Sequence, residues 1–340
     1  MLEQLPAAGG AMDDRRVYLP LQSGTLVAVD RETGEQVWLR QAPSLWAPVL
    51  NAGRMFVADR EIIRALDAIT GAEIWSALLP SPMSAPLIVD AGRLIAPLDS
   101  GELLGLYASN GAIAWQRGLP APCRQTPSSA DGALIVCALA DSRVIAVDRD
   151  SGRTRWERML EGTLSAPLAA RDRVFVGSTT NVFWALDPER GSELWRWPAG
   201  GDVIGAAADG DVIYFASLDN ILRAVNRSNG NQRWKKTIPT RPAAPPIAFN
   251  GIVLLTGVAP RVDGYLGKTG TVQGTHMASS DLQGVPMLDQ VLKPYRVAMV
   301  TLTRDGRVTA LRPEPMMMRD PLLVPLTELP GRRIDRERLR

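Results

Sequence analysis

The chain has 340 residues, of which 46% belong to the hydrophobic set and nine are tryptophan, so it can bury a large core. Its 38 lysines and arginines nearly balance 36 aspartates and glutamates, and a formal net charge of +2 gives no electrostatic argument for nucleic acid as a partner. No stretch approaches the roughly 18 consecutive apolar residues of a membrane-spanning helix.

A turn glycine followed by a tryptophan recurs along the chain and divides it into repeats. In the first copy, Asp30 precedes the turn at Gly34, and Trp38 follows that glycine by four residues. Five later copies keep this spacing, and the repeat positions are Asp30, Gly34, Trp38, Asp67, Gly71, Trp75, Gly111, Trp115, Asp148, Gly152, Trp156, Asp187, Gly191, Trp195, Gly230 and Trp234. Together with Gly270, the turn glycines lie 37 to 41 residues apart, a period typical of a four-stranded β-propeller blade.

The segments between these turns are short, alternate apolar with polar residues and are rich in β-branched residues, which indicates strands rather than helices. A seventh unit has Gly274 at the tryptophan position, and an eighth has strands near 285–288, 297–301 and 308–312 but no tryptophan. The sequence therefore predicts an all-β fold, an eight-bladed β-propeller of four-stranded antiparallel blades. We assign residues 1–312 to the propeller and residues 313–340 to a tail that is partly disordered or packed on the propeller.

The repeated residues have structural rather than catalytic chemistry. The aspartate can accept hydrogen bonds from backbone N–H groups of the turn, and the glycine suits a positive φ angle in a hairpin loop with a bulge. The tryptophan offers a large rigid surface that can lie across the joint between two blades, with its indole N–H on a backbone carbonyl. The motif is thus interpreted as a structural element that holds neighbouring blades together. No catalytic, cofactor-binding or metal-binding residue is assigned.

The N-terminal residues are predicted to supply the strand that blade eight lacks. Four units continue after the tryptophan with three residues, a small or apolar residue and a proline, as in Leu79-Pro80. Residues 1–6 fit this pattern with Met1 at the tryptophan position, so residues 2–5 are expected to pair with blade eight and close the ring, which removes an exposed sheet edge. Residues 322–326 are a competing donor, whose Pro325 is tolerable only at an outer edge.

Residues 1–6 lack the basic start and the apolar run of a secretory signal. Taken literally, this predicts a cytoplasmic protein. If Met1 lies within a strand, however, the reading frame is expected to extend upstream, where an export signal can lie.

The two cysteines and the single histidine show no metal-ligand spacing. Cys123 and Cys137 flank a predicted turn at residues 131–132, which leaves a disulfide between them open. His276 has no histidine partner, which favours a surface or loop residue over a general base or metal ligand. Packing between strands is favoured over stacking on a cofactor for the tryptophans outside the repeat positions, Trp46, Trp184 and Trp197.

The unit Ala-Val-Asp-x-x-Thr-Gly-x-x-x-Trp resembles the tryptophan-docking repeat of the pyrroloquinoline-quinone (PQQ)-type eight-bladed propellers, strongly over six units and weakly over two. One branch of that family consists of quinoprotein dehydrogenases, which oxidise alcohols or sugars with PQQ and calcium on the propeller axis. The other consists of non-enzymatic propellers, notably the BamB-like lipoproteins of outer-membrane β-barrel assembly. The chain has no adjacent cysteine pair, no long insertions and no recognisable calcium ligand set, which favours the second branch.

By this resemblance the chain is predicted to be a non-catalytic scaffold that binds protein partners, such as an outer-membrane assembly complex, through loops on one face of the ring. The implied setting is the periplasm or the outer membrane. A monomeric propeller is expected, without PQQ, calcium, nucleic acid or a transmembrane segment. A PQQ- and calcium-dependent alcohol or sugar dehydrogenase is the alternative, and a carbohydrate- or ligand-binding propeller is the third hypothesis.

Overall fold

The computed structural model describes Leu2, residues 4–289 and residues 298–312. The predictions for Met1, for the tail from residue 313 and for its segment 322–326 concern residues outside these ranges. All 31 secondary-structure elements of the described residues are β-strands, which confirms the predicted all-β class. Accordingly, this part of the chain contains no helix that is long and apolar enough to cross a membrane.

The strands form eight antiparallel sheets, each built from strands that are consecutive in the chain. Blades one to four consist of β1 (Ala11–Met12), β2 (Arg16–Pro20), β3 (Thr25–Asp30), β4 (Gln36–Gln41), β5 (Val49–Asn51), β6 (Arg54–Ala58), β7 (Ile62–Asp67), β8 (Glu73–Leu78), β9 (Ile88–Asp90), β10 (Arg93–Pro97), β11 (Glu102–Tyr107), β12 (Ile113–Gly118), β13 (Ser128–Ala130), β14 (Leu134–Ala138), β15 (Arg143–Asp148) and β16 (Thr154–Met159). Blades five to eight consist of β17 (Leu168–Ala170), β18 (Arg173–Gly177), β19 (Val182–Leu186), β20 (Glu193–Pro198), β21 (Val203–Asp209), β22 (Val212–Ser217), β23 (Ile221–Asn226), β24 (Gln232–Thr237), β25 (Ile247–Phe249), β26 (Ile252–Thr256), β27 (Arg261–Leu266), β28 (Val272–Met277), β29 (Met287–Leu288), β30 (Met299–Leu302) and β31 (Val308–Leu311). Seven sheets have four strands, and the sheet of blade eight has three within the described residues.

The eight sheets are arranged as the blades of a propeller. First strands of neighbouring blades contact each other, as β1 and β5 do, and β29 of blade eight contacts β1 of blade one, so the ring is closed. The core lies between the blades, and one cluster joins Phe56 of blade two to Leu94 of blade three. Third strands such as β15 are buried on both faces, because each blade packs against a neighbour on either side. The predicted eight-bladed propeller is confirmed.

Antiparallel pairing gives the ring two faces with different loops. The turns between first and second strands and between third and fourth strands lie at one face, called here the motif face. The turns between second and third strands lie at the other, the connection face, together with the connections between blades. Backbone hydrogen bonds join these two kinds of loop, as from the N–H of Asp99 to the carbonyl of Pro82 (2.8 Å). The repeat motif and the connections between blades therefore reach solvent on opposite sides of the ring.

The N-terminal segment lies across the joint between blades eight and one, in agreement with the predicted closure. The N–H of Leu2 donates to the carbonyl of Gly306 in blade eight (2.9 Å). Pro6 forms an isolated bridge with Leu21 of blade one. The Leu2 side chain packs against an apolar cluster that both blades share and that contains Val300.

The register of this segment differs from the predicted one by three residues. In blades one to seven, the residue four positions after the tryptophan site donates its N–H to a carbonyl in the turn before the third strand, and these donors are Ala42, Leu79, Leu119, Leu160, Ala199, Ile238 and Ala278. Leu2 makes this bond in blade eight, whereas the sequence pattern assigned Leu5 to that position. The similarity of Leu5-Pro6 to Leu79-Pro80 is misleading, because Pro6 forms with blade one the bridge that Met83 forms with blade three.

Candidate functional site

The turn between the third and fourth strands, on the motif face, is held by the repeat aspartate. One carboxylate oxygen of Asp30 accepts hydrogen bonds from the N–H groups of Glu32 (2.8 Å) and Thr33 (2.9 Å). Gly34 closes the turn with a φ angle of 77°, and a bulge shifts the register between β3 and β4. The donated N–H groups lower the pKa of the Asp30 carboxyl. The equivalent bonds are made in other repeats by Asp67, Asp148 and Asp187.

Asp148 adds an ion pair to this arrangement. Arg155 donates to its second oxygen (2.6 Å), and Ser151 donates its hydroxyl to the first (2.8 Å). The Arg155 guanidinium and the Ser151 hydroxyl lower the pKa of Asp148 to about 2. Since an aspartate in an unfolded chain has a pKa of about 3.9, the folded-state pKa is depressed. The stabilisation by this carboxylate is therefore present above about pH 4 and is lost as the pH falls towards about 2.

We expect Asp148→Asn to lower the melting temperature at neutral pH and to change it little near pH 2, where the native carboxyl is itself becoming protonated. Thermal unfolding of both proteins across this pH range measures the difference. Asp131→Asn, at an exposed turn position of the same blade, is the matched control and should change the melting temperature little at neutral pH. An equal loss at both ends of the pH range in Asp148→Asn would contradict the assignment.

Each repeat tryptophan lies on the turn of the following blade. The Nε1–H of Trp38 donates to the carbonyl of Ala68 in blade two (3.3 Å), and its ring covers Gly71, where a Cβ atom would lie closer than 3.0 Å to the ring. The other five tryptophans donate to the next blade at 2.6 to 3.2 Å. Their rings cover Gly111, Gly152, Gly191, Gly230 and Gly270. The glycine thus has a second role that its own hairpin does not reveal, since it makes room for the ring of the preceding repeat.

The two remaining joints have no repeat tryptophan among the described residues. Gly274 takes the tryptophan position of blade seven, and His276 follows it in β28 with a half-buried side chain. The Nε2 atom of His276 lies 3.3 Å from Oγ1 of Thr301, a buried residue of blade eight. At the joint between blades eight and one, Gly34 keeps the positive φ angle of the repeat. No described atom lies within 4 Å of the position that a Cβ atom on Gly34 would take.

The axial side of the ring has a groove of about 630 Å³ beside Trp46, lined by apolar, proline and small polar side chains of blades two to four. Trp184 is buried in the core between blades four and five, and Trp197 packs against the core between blades five and six, as predicted for tryptophans that pack between strands. The described ranges contain no group of three or more His, Cys, Asp or Glu side chains that could hold a metal ion. The lining of the axial groove consists of uncharged side chains that can pack against a ligand, and within the described residues it contains no charged side chain.

Cys123 and Cys137 are free thiols, and both are buried. They belong to one apolar cluster between blades three and four, and the thiol of Cys123 donates to the carbonyl of Gln125 (3.1 Å). The neighbouring Cys123 thiol and burial together raise the pKa of Cys137. Because the thiolate is the reactive form of cysteine, the raised pKa of Cys137 makes its thiol unreactive.

Six exposed apolar side chains lie on the connection face of four consecutive blades, seven, eight, one and two, while others, such as Ile69 on the motif face and Met159 in blade four, lie elsewhere on the ring. The six are 46% to 74% exposed and comprise Val258, Met277, Val285, Leu5, Leu45 and Leu78, a set called here the apolar arc. Between blades seven and eight, a groove of about 320 Å³ separates Val258 from Val285, with Asp281 and Arg304 at its border. Grouped exposed apolar side chains with charged neighbours are typical of a surface that binds another protein.

The fold and the joints define a class of protein, the eight-bladed β-propellers with tryptophan-docked repeats. The sequence profile of the family described as "Outer membrane protein assembly factor BamB" matches residues 3–195 and 140–314. Since these matches cover more than half of the chain, the chain belongs to this family.

Individual relatives with that name match shorter segments. The protein of Nitrosomonas eutropha is 26% identical over 143 residues, which are 42% of this chain and 34% of the relative. The protein of Escherichia coli is 26% identical over 137 residues, 39% of this chain and 34% of the relative. The protein of Marinobacter adhaerens is 31% identical over 98 residues, 28% of this chain and 25% of the relative. The matched segments thus span a quarter to a third of the length of these curated relatives.

Solved structures resemble the chain over nearly its whole length. The crystal structure of BamB from Moraxella catarrhalis has a TM-score of 0.71 at 19% identity and covers 91% of this chain and 96% of its own. The quinohemoprotein alcohol dehydrogenase ADHIIG from Pseudomonas putida has a TM-score of 0.67 at 12% identity and covers 89% of this chain and 70% of its own. At such identities the likeness concerns the fold alone.

Proposed function

We propose that the chain is a non-catalytic scaffold that binds protein partners through its connection face during outer-membrane protein assembly. The single observation that carries the binding proposal is the apolar arc, six exposed side chains on four consecutive blades. Membership of the family of outer membrane assembly factors supports the setting, the periplasmic side of the outer membrane. The proposal requires neither PQQ nor calcium.

The two faces of the ring have different structural roles, which supports a scaffold function. The repeat tryptophans and glycines are occupied in the joints near the motif face, so substitutions there disturb the ring itself. The connection face is formed by loops, which can differ from blade to blade without disturbing the joints. A partner surface is therefore expected where the loops carry apolar side chains that the ring does not bury.

Blade two provides the most exposed part of the arc. Leu78 is 74% exposed and Leu45 is 49% exposed. Leu78 lies across the strand pair from Ile62, and Ile62 lines a surface groove together with Leu45. Burying a leucine side chain contributes about 1.5–3 kcal/mol, so these two residues can change the affinity for a partner strongly.

We expect the double variant Leu45→Glu with Leu78→Glu to weaken partner capture by at least tenfold, because each tenfold change in affinity requires only about 1.4 kcal/mol. The measurement is quantitative capture from cross-linked cell envelopes, with outer-membrane assembly components identified by mass spectrometry. Val37→Glu is the matched control, because Val37 is 46% exposed but lies on β4 next to the motif face.

Equal capture by the double variant and the parent chain would contradict binding through the arc. Stoichiometric binding of PQQ and calcium with dye-linked oxidation of an alcohol or sugar would instead support a quinoprotein dehydrogenase. Saturable glycan binding without turnover would support the ligand-binding propeller.

A further inference from the structure

The axial groove contains a large aromatic side chain, Trp46, that the repeat does not require. In seven blades an N–H group in the connection before the first strand donates to the carbonyl of the last residue of the second strand, and these donors are Ala7, Leu45, Ser84, Arg124, Ser165, Ala243 and Gln283. The residue after the donor is Trp46 in blade two, whereas the other six blades have Ala8, Ala85, Gln125, Ala166, Ala244 and Gly284. Since alanine serves at this position in four blades, the fold itself does not need an indole there.

The protein holds Trp46 in a fixed position at the groove. The hydroxyl of Ser44, a buried residue, donates to the carbonyl of Trp46 (2.8 Å), and the N–H of Leu45 donates to the carbonyl of Ala58 (2.9 Å). The Trp46 side chain packs partly against the core between blades two and three and also lines the groove. Its indole N–H bonds to no described residue. The ring is therefore preorganised to offer an apolar surface and one unpaired donor to a ligand.

The rest of the lining combines apolar side chains with uncharged polar groups. Asn51, Thr126 and Ser129 line the groove, and within the described residues their side chains make no hydrogen bond. The apolar part of the lining includes Val49, Leu50, Ile88 and Val89. An ionised ligand, such as PQQ with its carboxylates, would find no charged partner among these side chains, and a charge removed from water without a partner is costly. The lining therefore fits a neutral ligand.

Prolines at the axial edge of the sheets argue against a peptide strand as this ligand. Each first strand pairs with the second strand on one side only, so its other edge faces the axis. Pro48 and Pro127 directly precede β5 and β13, and Pro86 lies two residues before β9. Because proline has no N–H group, these edges lack donors at the point where a ladder with an added strand would begin. The ligand must therefore be bound by side chains.

We propose that the axial groove binds a neutral, N-acetylated saccharide. The C–H face of a pyranose ring is apolar and packs on the indole of Trp46. The sugar hydroxyls exchange hydrogen bonds with Asn51, Thr126 and Ser129, each of which can donate and accept. An acetamido group adds a methyl group for the apolar part of the lining and an uncharged donor and acceptor. The groove volume of about 630 Å³ lies within the usual range of about 300–1,000 Å³ for small-molecule sites.

This site is separate from the partner surface proposed above. Leu78, the most exposed residue of the apolar arc, lies on the fourth strand of blade two, β8, whereas first strands and the connections before them form the axial groove. A saccharide can thus occupy the axis while the connection face holds a protein. Leu78→Glu, which weakens partner capture, should leave saccharide binding unchanged.

Isothermal titration calorimetry with triacetylchitotriose measures this binding. We expect saturable binding by the parent chain and at least tenfold weaker binding by Trp46→Ala. Thr126→Val combined with Ser129→Ala removes two hydroxyls with little change in volume and should weaken binding several-fold, which keeps the test valid if Trp46→Ala fails to fold. Trp197→Ala is the matched control, because Trp197 is also half-buried but packs between blades five and six, and it should leave the affinity unchanged.

No saturable binding of triacetylchitotriose would overturn the proposal, and so would equal affinities of the parent chain and the groove variants. Equal affinity for cellotriose, which lacks acetamido groups, would refute the assignment to an N-acetylated sugar. Binding of hexaproline that depends on Trp46, without binding of the trisaccharide, would overturn the saccharide in favour of a peptide.

Discussion

Replacing Trp38 by alanine is expected to reduce the free energy of unfolding by about 3–5 kcal/mol, the usual range for removal of a buried large aromatic side chain. The Trp38 ring is 6% exposed and lies 5.8 Å from the ring of Tyr18, measured between centroids. Tyr18 donates its hydroxyl to Ala68 (3.0 Å), the carbonyl that Trp38 also contacts. The substitution therefore leaves a cavity at the joint of blades one and two and removes one of the donors to a buried carbonyl.

Urea-induced unfolding of Trp38→Ala, compared with the parent chain, measures this loss. Val37→Ala and Leu39→Ala are controls on the same strand, because both side chains are more than 40% exposed and should change stability by no more than about 0.5 kcal/mol. Trp38→Phe keeps an aromatic ring but loses the N–H donor, so an intermediate loss is expected. If Trp38→Ala lowered the free energy of unfolding no more than Val37→Ala does, the ring would not hold blades one and two together.

Gly191→Ala is expected to destabilise the protein by about 2–5 kcal/mol, through two separable effects. The φ angle of Gly191 is 67°, a left-handed conformation that costs a residue with a side chain about 1–2 kcal/mol. The added Cβ atom would also lie closer than 3.0 Å to the ring of Trp156, and overpacking of this kind costs about 1–3 kcal/mol.

Gly34→Ala separates these two contributions. Gly34 has a φ angle of 77°, but no described atom lies within 4 Å of its Cβ position, so only the conformational cost of about 1–2 kcal/mol is expected. The difference in unfolding free energy between the two alanine variants then reports the crowding of the Trp156 ring alone. Equal losses in both variants would show that the ring does not require a glycine beneath it.

The fold was readable from the sequence because six of the eight blades repeat the same local chemistry. The turn at Asp30 and Gly34 needs a side-chain acceptor and a positive φ angle, and these requirements leave a visible pattern whenever the turn recurs. Alternating apolar residues between turns identified the strands, and the spacing of the glycines identified the length of one blade. These features are local, so one repeat contains all the information needed to recognise them.

Contacts between repeats were less visible. Nothing inside the first repeat shows that Trp38 covers Gly71 of the second, since the partners lie 33 positions apart and each also has a role in its own hairpin. The register of the N-terminus was misassigned because Leu5-Pro6 imitates a pattern that recurs elsewhere, whereas a backbone hydrogen bond of Leu2 defines the true position. The apolar arc had no sequence signature, because its residues come from separate loops and share no period.

Because each joint is divided between two repeats, each of blades one to six carries one tryptophan ring for the next joint and one glycine for the previous joint. A blade of this kind can be duplicated or deleted without creating a mismatched joint, since the flanking blades still meet a complementary surface. The same property makes the sequence tolerant of relocated termini: a chain opened within any connection between blades retains all six ring-on-glycine contacts. Blade seven shows that the two halves of a joint can change independently. Gly274 stands at its tryptophan position, whereas its turn glycine, Gly270, still lies under the ring of Trp234.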